Sequence, residues 1–204
     1  MEFLCAAGAF LKRDGHYLLM KRSPDKKIAP GVWSNVGGRM ELQDKGDPLT
    51  ACYREVFEET GIPAGRIYNL ILRYIIIRKA GDIIRQNYVY FGETDMAEFI
   101  DTDEGTLHWV PEEELLNREY TQTFAAMMRH YLYTPVDDRV VVGVAENNAG
   151  SLHMSWAVVE DFEVIQKRQK YTNLMKKAAH DETLIKRTMD TQRDFTMVDN
   201  EEEV

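Results

Sequence analysis

The chain has 204 residues, with 25 Lys and Arg against 34 Asp and Glu, a formal charge of −9, and 44% hydrophobic residues. That balance excludes a disordered, collagenous or membrane-embedded chain. The acidity argues against a nucleic-acid polymer or an anionic membrane as partner, though not against a small anionic substrate approached through a cation. Cys5 and Cys52 are too few for a disulfide framework or a zinc site, and read as reduced, small hydrophobes in a cytoplasmic protein. Met1-Glu2 carries no basic region, and the apolar run Phe3 to Leu11 stops at Lys12-Arg13, so neither a signal peptide nor a membrane span is expected.

Phe3–Lys12 reads as a buried strand and Tyr17–Lys21 as its partner, turned by Asp14-Gly15. Residues 23–31 read as a loop, Val32–Val36 as a short strand ending at Gly37-Gly38, and Arg39 to Gly46 as a polar loop. A helix with well-marked ends follows. Asp47 is a good N-cap, Pro48 suits the first helical position, Gly61 suits the left-handed residue beyond the end, and Pro63 prevents continuation. Leu49, Cys52, Tyr53 and Val56 supply its buried face. Strands are expected over Ile67–Arg78 and Ile83–Gly92, turned by Ala80-Gly81, and then over Leu107–Val110 after an acidic loop. Pro111 to Glu114 opens a helix, Phe124–Leu132 is helical, and Arg139–Val144 and Leu152–Val158 form a hairpin. The alternation implies an α+β fold, a mixed β-sheet sandwiched between helices.

From about Val164 the composition shifts. Leu174, Met175, Ala178 and Leu184 stand at mostly helical spacing among many Lys and Arg, before an acidic tail that ends at Val204. This predicts a domain over residues 1–162 and a helical extension over 163–204. The amphipathic stripe suits packing on its own domain or on a second copy in a homodimer better than binding a partner or nucleic acid.

The informative segment is Arg54-Glu55-Val56-Phe57-Glu58-Glu59-Thr60-Gly61-Ile62. Glu55, Glu58 and Glu59 stand at i, i+3 and i+4 and share one helix face, where each exposed like-charge pair costs roughly 0.2–0.5 kcal/mol. They also lie toward the helix C-terminus, whose dipole disfavours anions. A solvated acidic face is one reading. A hard divalent cation bound by the carboxylate oxygens is the other, and it offsets both penalties.

The wider context decides between them. Gly38, Arg54-Glu55-Val56, Glu58-Glu59 and Gly61-Ile62 resemble the Nudix box: Gly, five residues, Glu, seven residues, Arg-Glu, an aliphatic, any residue, Glu-Glu, any residue, Gly and an aliphatic. The second half matches fully. In the first half the gap from Gly38 to Arg54 is two residues longer than the pattern, so counting back from Arg54 reaches Gly46 where a Glu belongs, and counting forward from Gly38 reaches Asp44. Asp44 and Glu41 are the two candidate substitutes. Tyr17 to Arg22, Ala29-Pro30-Gly31-Val32-Trp33 and Asp103 to Pro111 also look like the flanks of the box in MutT-type Nudix hydrolases.

The resemblance implies the Nudix fold, here with an added C-terminal β-hairpin and a terminal helix, and a cytoplasmic enzyme that hydrolyses a nucleoside diphosphate linked to another moiety. It implies Mg²⁺, with Mn²⁺ as a substitute, held by Glu55, Glu58 and Glu59, by the Gly37 carbonyl and by Glu104, which is also the candidate general base. Arg54 would orient the glutamates, Lys21 and Arg22 would contact phosphates, and Trp33 would meet the base. The substrate expected is a nucleoside triphosphate, an oxidised one such as 8-oxo-dGTP included, cut to the monophosphate and pyrophosphate. ADP-ribose or a dinucleoside polyphosphate is the alternative within the family, and a non-hydrolysing nucleotide-binding regulator the alternative outside it.

Overall fold

The N-terminal apolar run becomes β1, Glu2–Arg13, and its continuous hydrophobicity has a simple cause: both faces are covered. Alternate side chains enter different cores. Ala7, Ala9 and Leu11 join one, and Phe10 joins the other. The same split runs through β2, His16–Arg22, where Leu18 and Met20 face the first core and Tyr17 and Leu19 the second. Asp14 and Gly15, with φ of 48° and 78°, make the left-handed pair that a two-residue hairpin between them needs. This computed structural model describes residues 1–26, 29–100, 102–134, 139–148 and 150–160.

The strand expected over Val32–Val36 is two. β3, Trp33–Ser34, pairs with β2, and β4, Val36–Arg39, pairs with β1. The chain changes partner at Asn35, and the close approach that follows requires glycine. Gly37, at φ 151°, lies against Gly8, and a Cβ on Gly37 would stand 2.3 Å from the Gly8 Cα.

Helix α1, Pro48–Thr60, begins and ends as its sequence predicts. The Asp47 carboxylate accepts from the Leu49 and Thr50 amides at 3.1 and 3.2 Å, and Gly61 at φ 76° donates to the Phe57 carbonyl. Its buried face is shifted from the expected one: Ala51, Cys52 and Val56 are buried, whereas Leu49 is exposed.

β5, Ile67–Ala80, and β6, Ile83–Thr94, form a long hairpin whose turn is Gly81-Asp82, one residue later than expected. β7, Gly105–Pro111, pairs with β2. The helix expected from Pro111 is a six-residue 3₁₀ segment, Glu112–Asn117. α2 is Gln122–Tyr133, and β8, Val141–Asn148, and β9, Ser151–Val158, complete the added hairpin. The strands run β3-β2-β1-β6-β5-β8-β9, with β4 on β1 and β7 on β2. β1 and β6, and β5 and β8, are parallel; the other pairs are antiparallel.

The sheet is therefore mixed. Ala51, Cys52 and Val56 of α1 pack on one core, and Met127 and Met128 of α2 on the other. These elements fall within the unit Met1–Val159. The helix expected beyond Val164 lies outside the described residues. Among the described residues, no helix is long and apolar enough to cross a membrane.

Candidate active site

The glutamate face of α1 meets β4 beside a cleft of about 730 Å³. Glu55, Glu58 and Glu59 all line it, with Arg22, Trp33 and Gly37. Glu104, from the loop ahead of β7, lines it too, so residues more than 80 positions apart in sequence share one cavity.

Glu59 is the most enclosed of the three, 7% exposed. Its Oε2 accepts from the Gly37 amide at 2.8 Å. Burial pushes its carboxyl up to about 8 against the opposing pull of that amide, and the charges of Glu55 and Glu104 push the same way. Burial likewise raises Glu55 above the usual carboxylate range, in spite of the adjacent Arg54. Glu55 also occupies the space a side chain at position 38 would need. A Cβ on Gly38 would stand 2.4 Å from Glu55 Oε2.

Arg54 ties the cluster together. Its Nη1 donates to Glu55 Oε1 at 2.8 Å and to Glu58 Oε2 at 2.9 Å. Its Nε and Nη2 form a two-pronged contact with Asp44, both at 2.9 Å, and Nη2 also donates to the Arg39 carbonyl. Of the two candidate substitutes, Asp44 is thus the one against Arg54. It is 1% exposed, and the Arg54 hydrogen bonds hold its carboxyl below the usual range. Asp44 further accepts from the Glu41 amide at 2.6 Å. The two extra residues follow as Lys45 and Gly46, both left-handed at φ 51° and 78°, which return the chain to the Asp47 cap. Glu41 lines the cleft.

Among the described residues, no three His, Cys, Asp or Glu side chains converge on one point as a ready-made metal group. Glu55 and Glu58 reach to Arg54, and Glu59 to Gly37. The donor set nevertheless fits a hard divalent cation: three carboxylates on one wall, two of them partly or wholly desolvated and raised in pKa, are groups whose charge a cation would neutralise.

The other expected residues divide. Glu104 Oε1 pairs with Lys26 at 2.8 Å. Lys21 is not among the residues lining the cleft; its Nζ lies 5.9 Å from the Trp33 ring centre. Trp33 is further covered by Arg118, 5.1 Å from its ring centre, and by His108. Sequence reasoning passed over Arg78, Arg85 and Asn87, which line the cleft from β5 and β6. The turn expected at Ala80-Gly81 would have set position 78 opposite 83; only the observed turn at Gly81-Asp82 brings Arg78 opposite Arg85.

The NUDIX domain family model matches residues 3–131. The chain belongs to the Nudix family and is a hydrolase of pyrophosphate bonds in nucleoside-diphosphate-linked substrates. Nudix hydrolases generally use a divalent metal, typically Mg²⁺. Among solved structures, the chain is similar to a mutator MutT protein from Bacillus halodurans, at 22% identity and a TM-score of 0.59, covering 76% of this chain and 97% of that one. It is similar to the MutT protein from Methanosarcina mazei Go1, at 21% identity and a TM-score of 0.55, covering 64% and 93%. A C. elegans Ap4A hydrolase binary complex matches at 16% identity and a TM-score of 0.52, covering 63% and 95%. At these identities the likeness is one of fold.

Proposed function

We propose that the chain hydrolyses a nucleoside 5′-triphosphate, oxidised purine triphosphates such as 8-oxo-dGTP included, to the monophosphate and pyrophosphate. The observation that carries this reading is the cleft itself, whose wall at α1 is three glutamates, two of them sharing Arg54 and the third held by the Gly37 amide. Glu55, Glu58 and Glu59 would hold Mg²⁺, and the Gly37 carbonyl is a further candidate ligand. When bound, the ion offsets phosphate charge and lowers the pKa of water.

The chain's own residues supply positioning. Arg54, anchored on buried Asp44, fixes where Glu55 and Glu58 stand. Glu104, on the cleft wall with Lys26 2.8 Å from its Oε1, would take a proton from the attacking water. Arg22 offers a guanidinium to a phosphate oxygen from the same cavity. Lys21, outside the lining, acts through the Trp33 ring it overlies, and Trp33 gives the cleft an aromatic wall for a base. The relevant compartment is the cytoplasm.

A panel of nucleoside triphosphates, ADP-ribose and dinucleoside polyphosphates, incubated with Mg²⁺ and analysed for products, tests the reading. Monophosphate and pyrophosphate from a triphosphate, abolished by chelation, is the expected result. Turnover confined to ADP-ribose or a dinucleoside polyphosphate would replace the substrate named here; the arginines at the far end of the cleft are the observation that favours this second reading.

A further inference from the structure

Five guanidinium groups line the cleft: Arg22, Arg39, Arg54, Arg78 and Arg85. Arg54 is engaged by three carboxylates, and Arg39 Nη2 lies 3.8 Å from Glu2 Oε1. Arg78 and Arg85 are different. They face each other across β5 and β6, like charge against like charge, an arrangement that destabilises a strand pair. Among the described residues neither has a carboxylate partner, and Arg78 Nε is buried with no hydrogen-bond acceptor. Burial, and then the charge of Arg85, pull the Arg78 guanidinium below its usual pKa. A solvated surface arginine would show neither feature. A buried donor without an acceptor costs free energy, and both side chains line the cleft, where an oxyanion would offset the crowded positive charge.

The position of the pair is informative. Glu59 binds the Gly37 amide, and Gly37 pairs with Gly8 on β1. Arg85 pairs with Leu4 on the same strand. Four residues of extended chain separate Gly8 from Leu4, about 13 Å at roughly 3.3 Å per residue. The arginines therefore lie well beyond the carboxylate cluster, at the other end of one cavity. Asn87, next along the same face of β6, lies between and supplies a neutral donor or acceptor.

We propose that Arg78 and Arg85 form a second anion subsite, which takes a phosphate group of the substrate remote from the anhydride being cleaved. The inference rests on the nucleotide reading above and narrows it: the preferred nucleotide carries negative charge at both ends of the cleft. The remote phosphate has two sources, a phosphate on the ribose or the outer phosphate of a polyphosphate tail. Both present the oxygen fork that guanidinium groups bind in pairs.

Binding without turnover tests this on the full chain in Mg²⁺, read by tryptophan fluorescence, since Trp33 lines the cleft. The ligands are AMP, adenosine 2′,5′-bisphosphate, adenosine 3′,5′-bisphosphate and α,β-methylene-ATP. At least one of the last three should bind about tenfold or more tighter than AMP, the margin of one charge-assisted contact. A bisphosphate preference assigns the ribose phosphate, and a methylene-ATP preference the tail. The advantage should shrink to less than about threefold in the R78Q/R85Q double variant. Arg85→Gln alone, which leaves Arg78 with its buried Nε in place, should give an intermediate loss and guards against misfolding of the double variant. Equal binding of all four ligands, or an advantage that survives loss of both arginines, would overturn the subsite. Hydrolysis scored separately keeps the two readings apart. Turnover without a remote-phosphate preference removes the subsite and leaves the enzyme reading; the preference without turnover does the reverse.

Discussion

The two ends of the cleft handle charge in opposite ways. At the α1 end, carboxylates are crowded, but each has a donor: Glu55 and Glu58 share Arg54, Glu59 takes the Gly37 amide, and Glu104 takes Lys26. At the β5–β6 end, two guanidiniums stand together and the described residues provide no carboxylate for either. The difference shows what each end requires of the fold. The acidic end is compensated from within, so the protein can fold around it before any cation arrives. The basic end is tolerated because Arg85 keeps partial access to solvent, and its compensation is left to a ligand.

The largest effect should come from the residue that anchors the compensated end. Asp44→Asn removes the carboxylate from a buried pair, a change worth about 3 kcal/mol at neutral pH, at the low end for buried pairs because Arg54 keeps Glu55 and Glu58. Urea denaturation measures it. The sign of its pH dependence follows from the lowered pKa of Asp44. The contribution is fully present above the unfolded-state value near about 3.9 and is lost as pH falls through the lower folded value. The stability gap between native chain and variant should therefore close in acid. A gap that stays constant down to pH about 2 would mean the aspartate acts by shape and not by charge.

Next come the ligand candidates. Glu58→Gln or Glu59→Gln should lower kcat/KM for the best nucleotide by at least about tenfold, or 1.4 kcal/mol of transition-state stabilisation. A smaller loss would take these residues out of the mechanism. Gly38→Ala should also reduce activity, by a displacement of Glu55, because its new Cβ would sit 2.4 Å from that carboxylate. Activity that falls while far-ultraviolet circular dichroism is unchanged would place the effect at the site. Full activity would show that Glu55 can move without consequence.

How much of this was legible from sequence follows from how local each cause is. The ends of α1 were readable because capping is chemistry within a few residues: Asp47, Pro48 and Gly61 act on their own neighbours. The Asp14-Gly15 turn was readable for the same reason. The glutamate trio was readable from helical spacing, and its meaning from the box it resembles. The split of β3 from β4 was not, because it depends on Gly8 of a distant strand meeting Gly37. The exposure of Leu49 was missed because spacing along a helix does not say which flank of an apolar stripe meets the sheet. Asp44 and Glu41 could not be separated in sequence. What separates them is the two-pronged contact with Arg54, ten residues further on and across a turn.

That choice also yields the smallest effect. Gly46 is the residue reached by counting back from Arg54, yet it holds φ 78° in a turn with no atom within 4 Å of where its Cβ would be. Alanine there has space but an unfavourable backbone, so Gly46→Ala should destabilise by about 1 kcal/mol, the ordinary cost of a left-handed non-glycine residue. Hydrolytic activity should stay within about twofold of the native chain, equivalent to less than 0.5 kcal/mol. Thermal melting and steady-state kinetics on the same preparation separate the two quantities. If activity falls tenfold while the melting temperature barely moves, position 46 communicates with Arg54 more strongly than its open surroundings allow, and Asp44 is not the sole anchor of the carboxylate end.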